Sequence, residues 1–195
     1  MSEERARAGR GKPIAIGVAA VLLLLAGVYL GISRADGPVF VFRGGPLVSG
    51  ELVAFDAVDW ARLDEALGLE LELVGAETSL TLWFSVTDGR MYVSCGLDCE
   101  GGMLTRWPVE VARDDRVVVR IGGRRIEGRL SLVPHDSGEY VAARAGRRAK
   151  YDGGTGARVS AESAAHDAVI DVGEALTGRA DSDEPGDRLF RFDPR

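Results

Sequence analysis

Lysine is nearly absent from this 195-residue chain, which has it only at Lys12 and Lys150. Arginine supplies the rest of the positive charge, and acidic residues still outnumber basic ones, so the net charge is −6 and the pI about 5.1. A chain with this balance lacks the basic surface on which nucleic-acid binding depends. We therefore expect no nucleic-acid partner.

Histidine and cysteine are equally scarce, with two residues of each. His135 follows Pro134 at the end of a strand-like run, and His166 lies in a helical pattern. Neither has beside it the Ser-x-Gly elbow or the acidic partner that a hydrolytic triad needs. Cys95 and Cys99 have no histidine near them in sequence, and two sulfurs alone make a poor zinc site. The sequence therefore supports neither a hydrolase nor a metal centre.

A long uncharged segment occupies residues 14–32 (IAIGVAAVLLLLAGVYLGI). About 20 apolar residues are enough for a helix to cross a hydrocarbon core roughly 30 Å thick. Four basic residues precede the segment, whereas Arg34 alone is basic immediately after it. By the positive-inside rule this predicts a single-pass protein of the cell membrane, with a cytoplasmic N-terminus and the remaining chain outside, in the periplasm or the extracellular space.

Two other interpretations of this segment remain open. Ser33-Arg34-Ala35 has small residues at the spacing expected for signal-peptide cleavage after Ala35. However, the apolar region of such a peptide usually spans about 7–15 residues, and this one is longer. The charge asymmetry is modest, so a cytoplasmic domain is the second alternative. We favour the uncleaved anchor.

Strand patterns dominate the middle of the chain. Residues 79–121 contain two strand-like runs that meet at Asp88-Gly89, a pair suited to a type I′ hairpin because both residues tolerate positive φ. Gly122-Gly123 predicts a second hairpin, which leads into a strand at 124–133, and residues 69–74 (LELELV) alternate as a half-buried strand does. With five or six strands, closure into an antiparallel barrel removes exposed edges.

Shorter elements surround these strands. Residues 39–42 (VFVF) indicate a short strand, Asp56 is suited to cap a short helix, and residues 136–150 have a helical pattern. A further amphipathic helix is predicted at about 160–177, and a last edge strand at 189–192. The predicted fold is mainly β (α+β), with short peripheral helices around the barrel and one transmembrane helix before it. Its parts are a tail at 1–13, a membrane span at 14–32, a barrel domain at 33–151 and a C-terminal extension at 152–195.

The order of these pieces resembles the split-barrel superfamily of pyridoxamine 5′-phosphate oxidases, flavin reductases and deazaflavin-dependent nitroreductases. The residues that carry the resemblance are the hairpin SLTLWFSVTDGRMYVSCG, the helix opening Arg106-Trp107, the hairpin ARDDRVVVRIGG and the pair Lys150-Tyr151. They lie within residues 45–151, and the closing RLFRFDPR is a weaker second match. The resemblance implies an antiparallel split barrel of about six strands, which pairs as a homodimer.

The same resemblance implies a flavin-like cofactor, either FMN or a deazaflavin, and a small-molecule substrate. Ser94, Thr105 and Arg106 correspond to positions that contact the cofactor phosphate, and Ser79 and Thr81 to positions near the ring. The ring would lie against Thr81 and Trp83. The full set of implied cofactor residues is Ser79, Thr81, Trp83, Ser94, Thr105, Arg106 and Trp107.

The loop between Cys95 and Gly102 departs from the family pattern. It carries the acids Asp98 and Glu100 where a phosphate site prefers none. An alternative function is therefore a non-catalytic exported ligand-binding or protein-interaction module without a cofactor. Cys95 and Cys99 have three alternatives of their own: a disulfide, which an oxidising compartment favours, two free thiols, or a redox-active pair.

Overall fold

Six antiparallel strands close into a barrel in the computed structural model. The ring runs β2-β3-β4-β7-β6-β5 and returns to β2, and every neighbouring pair around it is antiparallel. A two-residue strand, β1, pairs in parallel with β6 outside this ring. The structure describes residues 2–40, 42–95, 106–135, 137–151 and 188–195, with the side chains of the first helix described from residue 16 onward. The closed barrel confirms the predicted fold class.

The elements follow one another in chain order with short connections. The helices are α1 (Ser2–Ser33), α2 (Trp60–Leu63), α3 (Trp107–Arg113) and α4 (Gly138–Tyr151). The strands are β1 (Glu51–Leu52), β2 (Gly68–Leu73), β3 (Thr78–Thr87), β4 (Arg90–Cys95), β5 (Arg116–Ile121), β6 (Arg124–Leu132) and β7 (Arg188–Asp193). Single 3₁₀ turns lie at Phe55–Ala57 and Val74–Ala76.

Both predicted hairpins are present. Asp88 and Gly89 have φ of 52° and 73°, and Gly122 and Gly123 have φ of 56° and 78°. Positive φ at both central residues is the type I′ geometry, whose twist matches that of the flanking strands. The turns therefore set the β3–β4 and β5–β6 registers, in which Thr87 pairs with Arg90 and Ile121 with Arg124.

Side chains fill the barrel interior. Alternate residues of each strand point inward and are almost fully buried, as the strict alternation of β2 shows. Trp107 enters the same core from α3, with its ring centroid 4.9 Å from that of Phe190. The inward residues of the six strands include Leu69, Leu71, Leu73, Phe84, Met91, Val93, Cys95, Val117, Val119, Ile121, Ile126, Leu130, Phe190 and Phe192. Among the described residues, the interior is therefore a packed apolar core.

Three local predictions were wrong in detail. The strand predicted at 189–192 is not an edge strand, because β7 pairs with both β4 and β6. The helix expected from Asp56 begins later, because Asp59 is the cap and accepts the Arg62 N–H at 3.2 Å. Val39 and Phe42 do not join the sheet. Instead, they exchange both backbone hydrogen bonds with each other, at 3.0 and 3.1 Å. This pair and Phe40 form the tip of a ribbon, the hairpin arm (described at residues 35–40 and 42–45), whose base closes where the Gly45 N–H donates to the Ala35 carbonyl at 2.9 Å.

Helix α1 is continuous from Ser2 to Ser33 and has no break near residue 13. Its segment Ile16–Ser33 has a mean hydropathy of 2.4, and none of it is buried against the rest of the chain. By length and composition this helix is suited to span a membrane. The hairpin arm begins two residues after it ends.

Candidate functional site

Because the interior is filled, a ligand must bind to the outer surface of the barrel. Strand β3 has two differently paired halves on this surface. Residues 78–83 pair with β2, whereas residues 84–87 pair with β4, where Phe84 lies opposite Val93. Trp83 and Ser94 are each one residue beyond that last β3–β4 pair, and their side chains alternate outward with respect to the core residues Phe84 and Val93.

An aromatic pair is the centre of this surface. The rings of Trp83 and Tyr151 are stacked, with centroids 5.0 Å apart and planes inclined by 15°. Thr81, two residues away on the same face of β3, is exposed, and both Trp83 and Ser94 are partly exposed. The structure therefore brings Thr81, Trp83 and Ser94 to one side of the barrel, beside the C-terminal end of α4.

The C-terminal end of α4 is held by hydrogen bonds to residues 84–87 of β3, which do not pair with β2. The Tyr151 hydroxyl lies 3.1 Å from the Phe84 nitrogen, whose N–H it accepts, and 2.7 Å from the carbonyl oxygens of Phe84 and Leu67. Asp64 accepts the Val86 N–H at 2.9 Å. These side chains bond to the backbone groups of β3 beyond the end of its pairing with β2. The stacked pair therefore rests on a rigid support.

Lys150 completes this support and is itself poorly hydrated. Its ammonium group donates to Asp64 Oδ1 and to the Phe84 carbonyl, both at 2.9 Å, and lies 3.9 Å from the centroid of the Phe84 ring. Burial lowers the pKa of Lys150, and Asp64 opposes this effect. Lys150 and Tyr151, which carry part of the sequence resemblance, therefore have structural contacts within the chain.

Ser79 lies outside this surface because the hairpin arm covers it. The residue is fully buried, and its hydroxyl donates to the Gly45 carbonyl at 2.6 Å. Its backbone N–H and C=O both bond to Gly44 at 3.0 Å. Ser79 thus attaches the arm to β3.

The remaining candidate site residues lie in or near α3 and differ in their exposure to solvent. Trp107 is 1% exposed and belongs to the barrel core. Arg106, the residue before it, is exposed at the start of α3. Thr105 lies outside the described residues, as does Cys99, whereas Cys95 is inside the core and is disulfide-bonded. Cys99 is the only other cysteine of the sequence.

Two tyrosines on the α4 side are expected to titrate late. Burial, and for Tyr92 also its hydrogen bond to Glu139, raises the pKa of Tyr92 and of Tyr151 to about 12, from an ordinary value of 10.0. A raised pKa means that this stabilisation is complete below pH 10 and is lost as the pH rises from 10 to about 12. Ultraviolet titration of phenolate absorbance should show one fewer late-titrating tyrosine in Tyr151→Phe than in the unmodified protein. A single ordinary transition for all tyrosines would contradict this expectation.

A concavity lined by described residues lies elsewhere on the barrel. Its volume is about 390 Å³, and apolar side chains from the chain entry and from β1 form part of its wall. Charged side chains of both signs border it, and Arg195 pairs with Glu127 there at 2.7 Å. The lining residues are Pro46, Leu47, Val48, Leu52, Glu72, Val74, Val118, Arg125, Glu127 and Arg195.

Sequence reasoning missed the role of Asp64 and the concavity. Asp64 gives no signal in the sequence, because its partners Val86 and Lys150 are 22 and 86 residues away. The concavity depends on how residues 46–48 cross the sheet, which strand periodicity does not specify. The alternation of Thr81 and Trp83, in contrast, did predict their common face.

The solved structures that are similar to this chain include the following two. A Listeria innocua protein assigned as a pyridoxamine 5′-phosphate oxidase is 17% identical, covering 69% of this chain and 89% of its own, with a TM-score of 0.36. A FAD-binding protein from Mesorhizobium loti is 16% identical, covering 71% of this chain and 89% of its own, with a TM-score of 0.34. No protein-family model and no curated protein matches the chain. Likeness this distant assigns no function, which must come from the side chains of this chain.

Proposed function

We propose that this protein is a membrane-anchored split barrel that binds a flavin-like cofactor on the outer surface formed by Thr81, Trp83 and Ser94. The observation that carries the proposal is the stacking of Trp83 on Tyr151 at 5.0 Å. A rigid, partly exposed aromatic pair offers a flat apolar face, and aromatic rings stack favourably on one another. A flavin ring has the shape and chemistry that such a face accepts.

The residues that would hold the phosphate of this cofactor are Ser94 and Arg106. A hydroxyl and a guanidinium are suitable phosphate donors, and hydrogen bonds to a charged group are the stronger ones. Ser94 is half-buried and Arg106 exposed, so both are accessible to a ligand. Ser79 and Trp107 are left out of the proposed site, because their side chains are committed to the arm and to the core.

A bound flavin would supply electron and hydride transfer, which is the basis of a possible oxidoreductase activity towards a small-molecule substrate. The residues of this chain would bind and orient the ring, and Trp83 would exclude water from one of its faces. The sequence resemblance supports a homodimer and either FMN or a deazaflavin as the cofactor. The apolar segment of α1 and the basic residues before it support an anchor that leaves the barrel outside the cell membrane.

Titration with FMN tests the cofactor proposal. The full-length protein in mild detergent should quench flavin fluorescence saturably, because stacking on Trp83 deactivates the excited ring. Arg106→Ala should raise the dissociation constant about tenfold or more, the equivalent of one hydrogen bond to a charged group. Trp83→Ala should remove both quenching and binding, whereas Trp83→Phe should retain part of each.

Arg113→Ala is the matched control, since Arg113 is an exposed arginine at the opposite end of α3. It should bind FMN as the unmodified protein does. Equal losses of FMN affinity in Arg106→Ala and Arg113→Ala would show that Arg106 acts by general electrostatic attraction and not by a specific phosphate contact. A folded protein that binds neither FMN nor a deazaflavin would overturn the proposal.

The second candidate function is a non-catalytic exported binding or interaction module. The observation in its favour is the concavity of about 390 Å³, which is lined by residues outside the proposed cofactor surface. Its mixture of apolar and charged side chains suits a peptide or small amphipathic ligand. Absence of flavin binding, together with ligand binding weakened by Arg125→Ala, would favour this alternative.

A further inference from the structure

The tip of the hairpin arm exposes large apolar side chains to solvent. Phe40 is 92% exposed, Phe42 60% and Val39 38%. Phe40 also has a φ of 58°, in the left-handed region that a bulky residue rarely adopts. A surface of this kind usually marks a contact with an apolar partner.

The position of the arm indicates which partner this is. The apolar segment of α1 ends at Ser33, and the two strands of the arm meet just after it, where Gly45 donates to the Ala35 carbonyl. Phe40 is seven residues beyond Ser33, so the tip lies within roughly 24 Å of the helix end. The polar zone of a bilayer is about 5–8 Å thick on each side of the hydrocarbon. The tip is therefore within reach of the surface that α1 would enter.

The base of the arm is fixed to the barrel at three places. Arg120, whose side chain is 11% exposed, bonds to Asp36 at 2.8 Å, and Arg43 bonds to Glu110 at 2.8 Å. Ser79 holds Gly45 as described above. A Cβ atom at Gly44 would overlap the Gly37 carbonyl oxygen, so the two strands of the arm are in close contact. The arm consequently carries its tip as a rigid extension of the barrel.

We propose that Val39, Phe40 and Phe42 insert into the interface of the same bilayer that α1 crosses, as a second membrane contact of the barrel. This inference rests on the membrane anchor of the proposed function but is independent of cofactor binding. Aromatic side chains are enriched at this depth, where an apolar ring meets the polar head groups. A helix alone leaves the barrel free to tilt and rotate, whereas a second contact point fixes the side that faces the lipid.

A spin label at the tip tests this inference in the full-length protein. Phe40→Cys and, as matched control, Val141→Cys would carry a nitroxide in vesicles of phosphatidylcholine with some phosphatidylglycerol. Val141 is also an exposed apolar residue, at 65%, but lies on α4. The unsubstituted protein, taken through the same labelling, gives the blank. We expect the label at position 40 to collide several-fold less with a water-soluble nickel complex than the label at 141, and more with oxygen.

The outcomes distinguish a membrane contact made by the tip from anchoring by α1. In one outcome, the nickel complex reaches both labels equally in protein that stays with the vesicles after a carbonate wash. This result overturns the tip contact but is consistent with the anchor. Release by carbonate overturns the anchor and the tip contact together, with no consequence for the FMN titration. Shielding from both nickel and oxygen, with spin–spin broadening, overturns the lipid contact in favour of a second copy of the chain.

Discussion

Trp107→Ala should destabilise the barrel by about 3–5 kcal/mol, the usual cost of removing a large aromatic side chain from a well-packed core. Trp107 is 1% exposed and lies against Phe190 of β7, the strand that closes the ring. Truncation would leave a cavity between α3 and this strand, which pairs with β4 and β6 to close the ring. Equilibrium urea unfolding of the full-length protein in mild detergent, followed by near-ultraviolet circular dichroism, measures the change.

The matched control is Trp83→Ala, which removes the same side chain from the outer face of β3. Because Trp83 is partly exposed and stacks on the Tyr151 ring, we expect a loss of about 1–2 kcal/mol. The two variants should also differ in FMN binding, since Trp83→Ala abolishes it at temperatures where the protein is folded. A greater loss of stability in Trp83→Ala than in Trp107→Ala would contradict the division between core and site.

Asp64→Ala should cost about 2–4 kcal/mol, although Asp64 is partly exposed. Its removal leaves the Lys150 ammonium, 10% exposed, without its anionic partner, and leaves the Val86 N–H without its acceptor. An unpaired buried charge is one of the most costly results of a single substitution. The stability of this variant should rise with pH towards 10.5, because the folded state, in which Lys150 has a lowered pKa, binds fewer protons than the unfolded state.

Lys150→Met is the informative companion to this variant. It keeps an unbranched apolar side chain over Phe84, removes the charge, and leaves the Phe84 carbonyl within 2.7 Å of the Tyr151 hydroxyl. We expect a loss of about 1 kcal/mol or less, since apolar replacement of a buried ion is often close to neutral. The double variant should be more stable than Asp64→Ala alone. Additive losses in the double variant would show that the pair does not interact.

The barrel was predictable because its signals are local. Asp88-Gly89 and Gly122-Gly123 fix two hairpins, and the alternation of residues 69–74 assigns a buried face without any knowledge of the partner strand. The prediction failed at residues 39–42, where β-branched and aromatic residues were interpreted as a strand. Composition alone does not reveal that Val39 and Phe42 pair with each other instead of with the sheet.

The candidate site was only partly predictable, for a different physical reason. Periodicity placed Thr81 and Trp83 on one face, but it also placed Ser79 there, and the hairpin arm then buried that residue. A helix opening such as Arg106-Trp107 leaves open which of its two side chains turns inward. In both cases the deciding contacts join residues that are far apart in sequence, Gly45 with Ser79 and Trp107 with Phe190.

The position of β7 in the ring has a consequence for biosynthesis. Strands β4 and β6 are complete by residue 132, but the strand that joins them begins only at Arg188. At about 5–20 residues per second, both edges emerge unpaired roughly 3–10 s before their partner is made. Open edges of this kind invite pairing with other chains. A nascent chain already held at the membrane by α1, and kept extended during passage across it, would avoid that hazard until the last strand arrives.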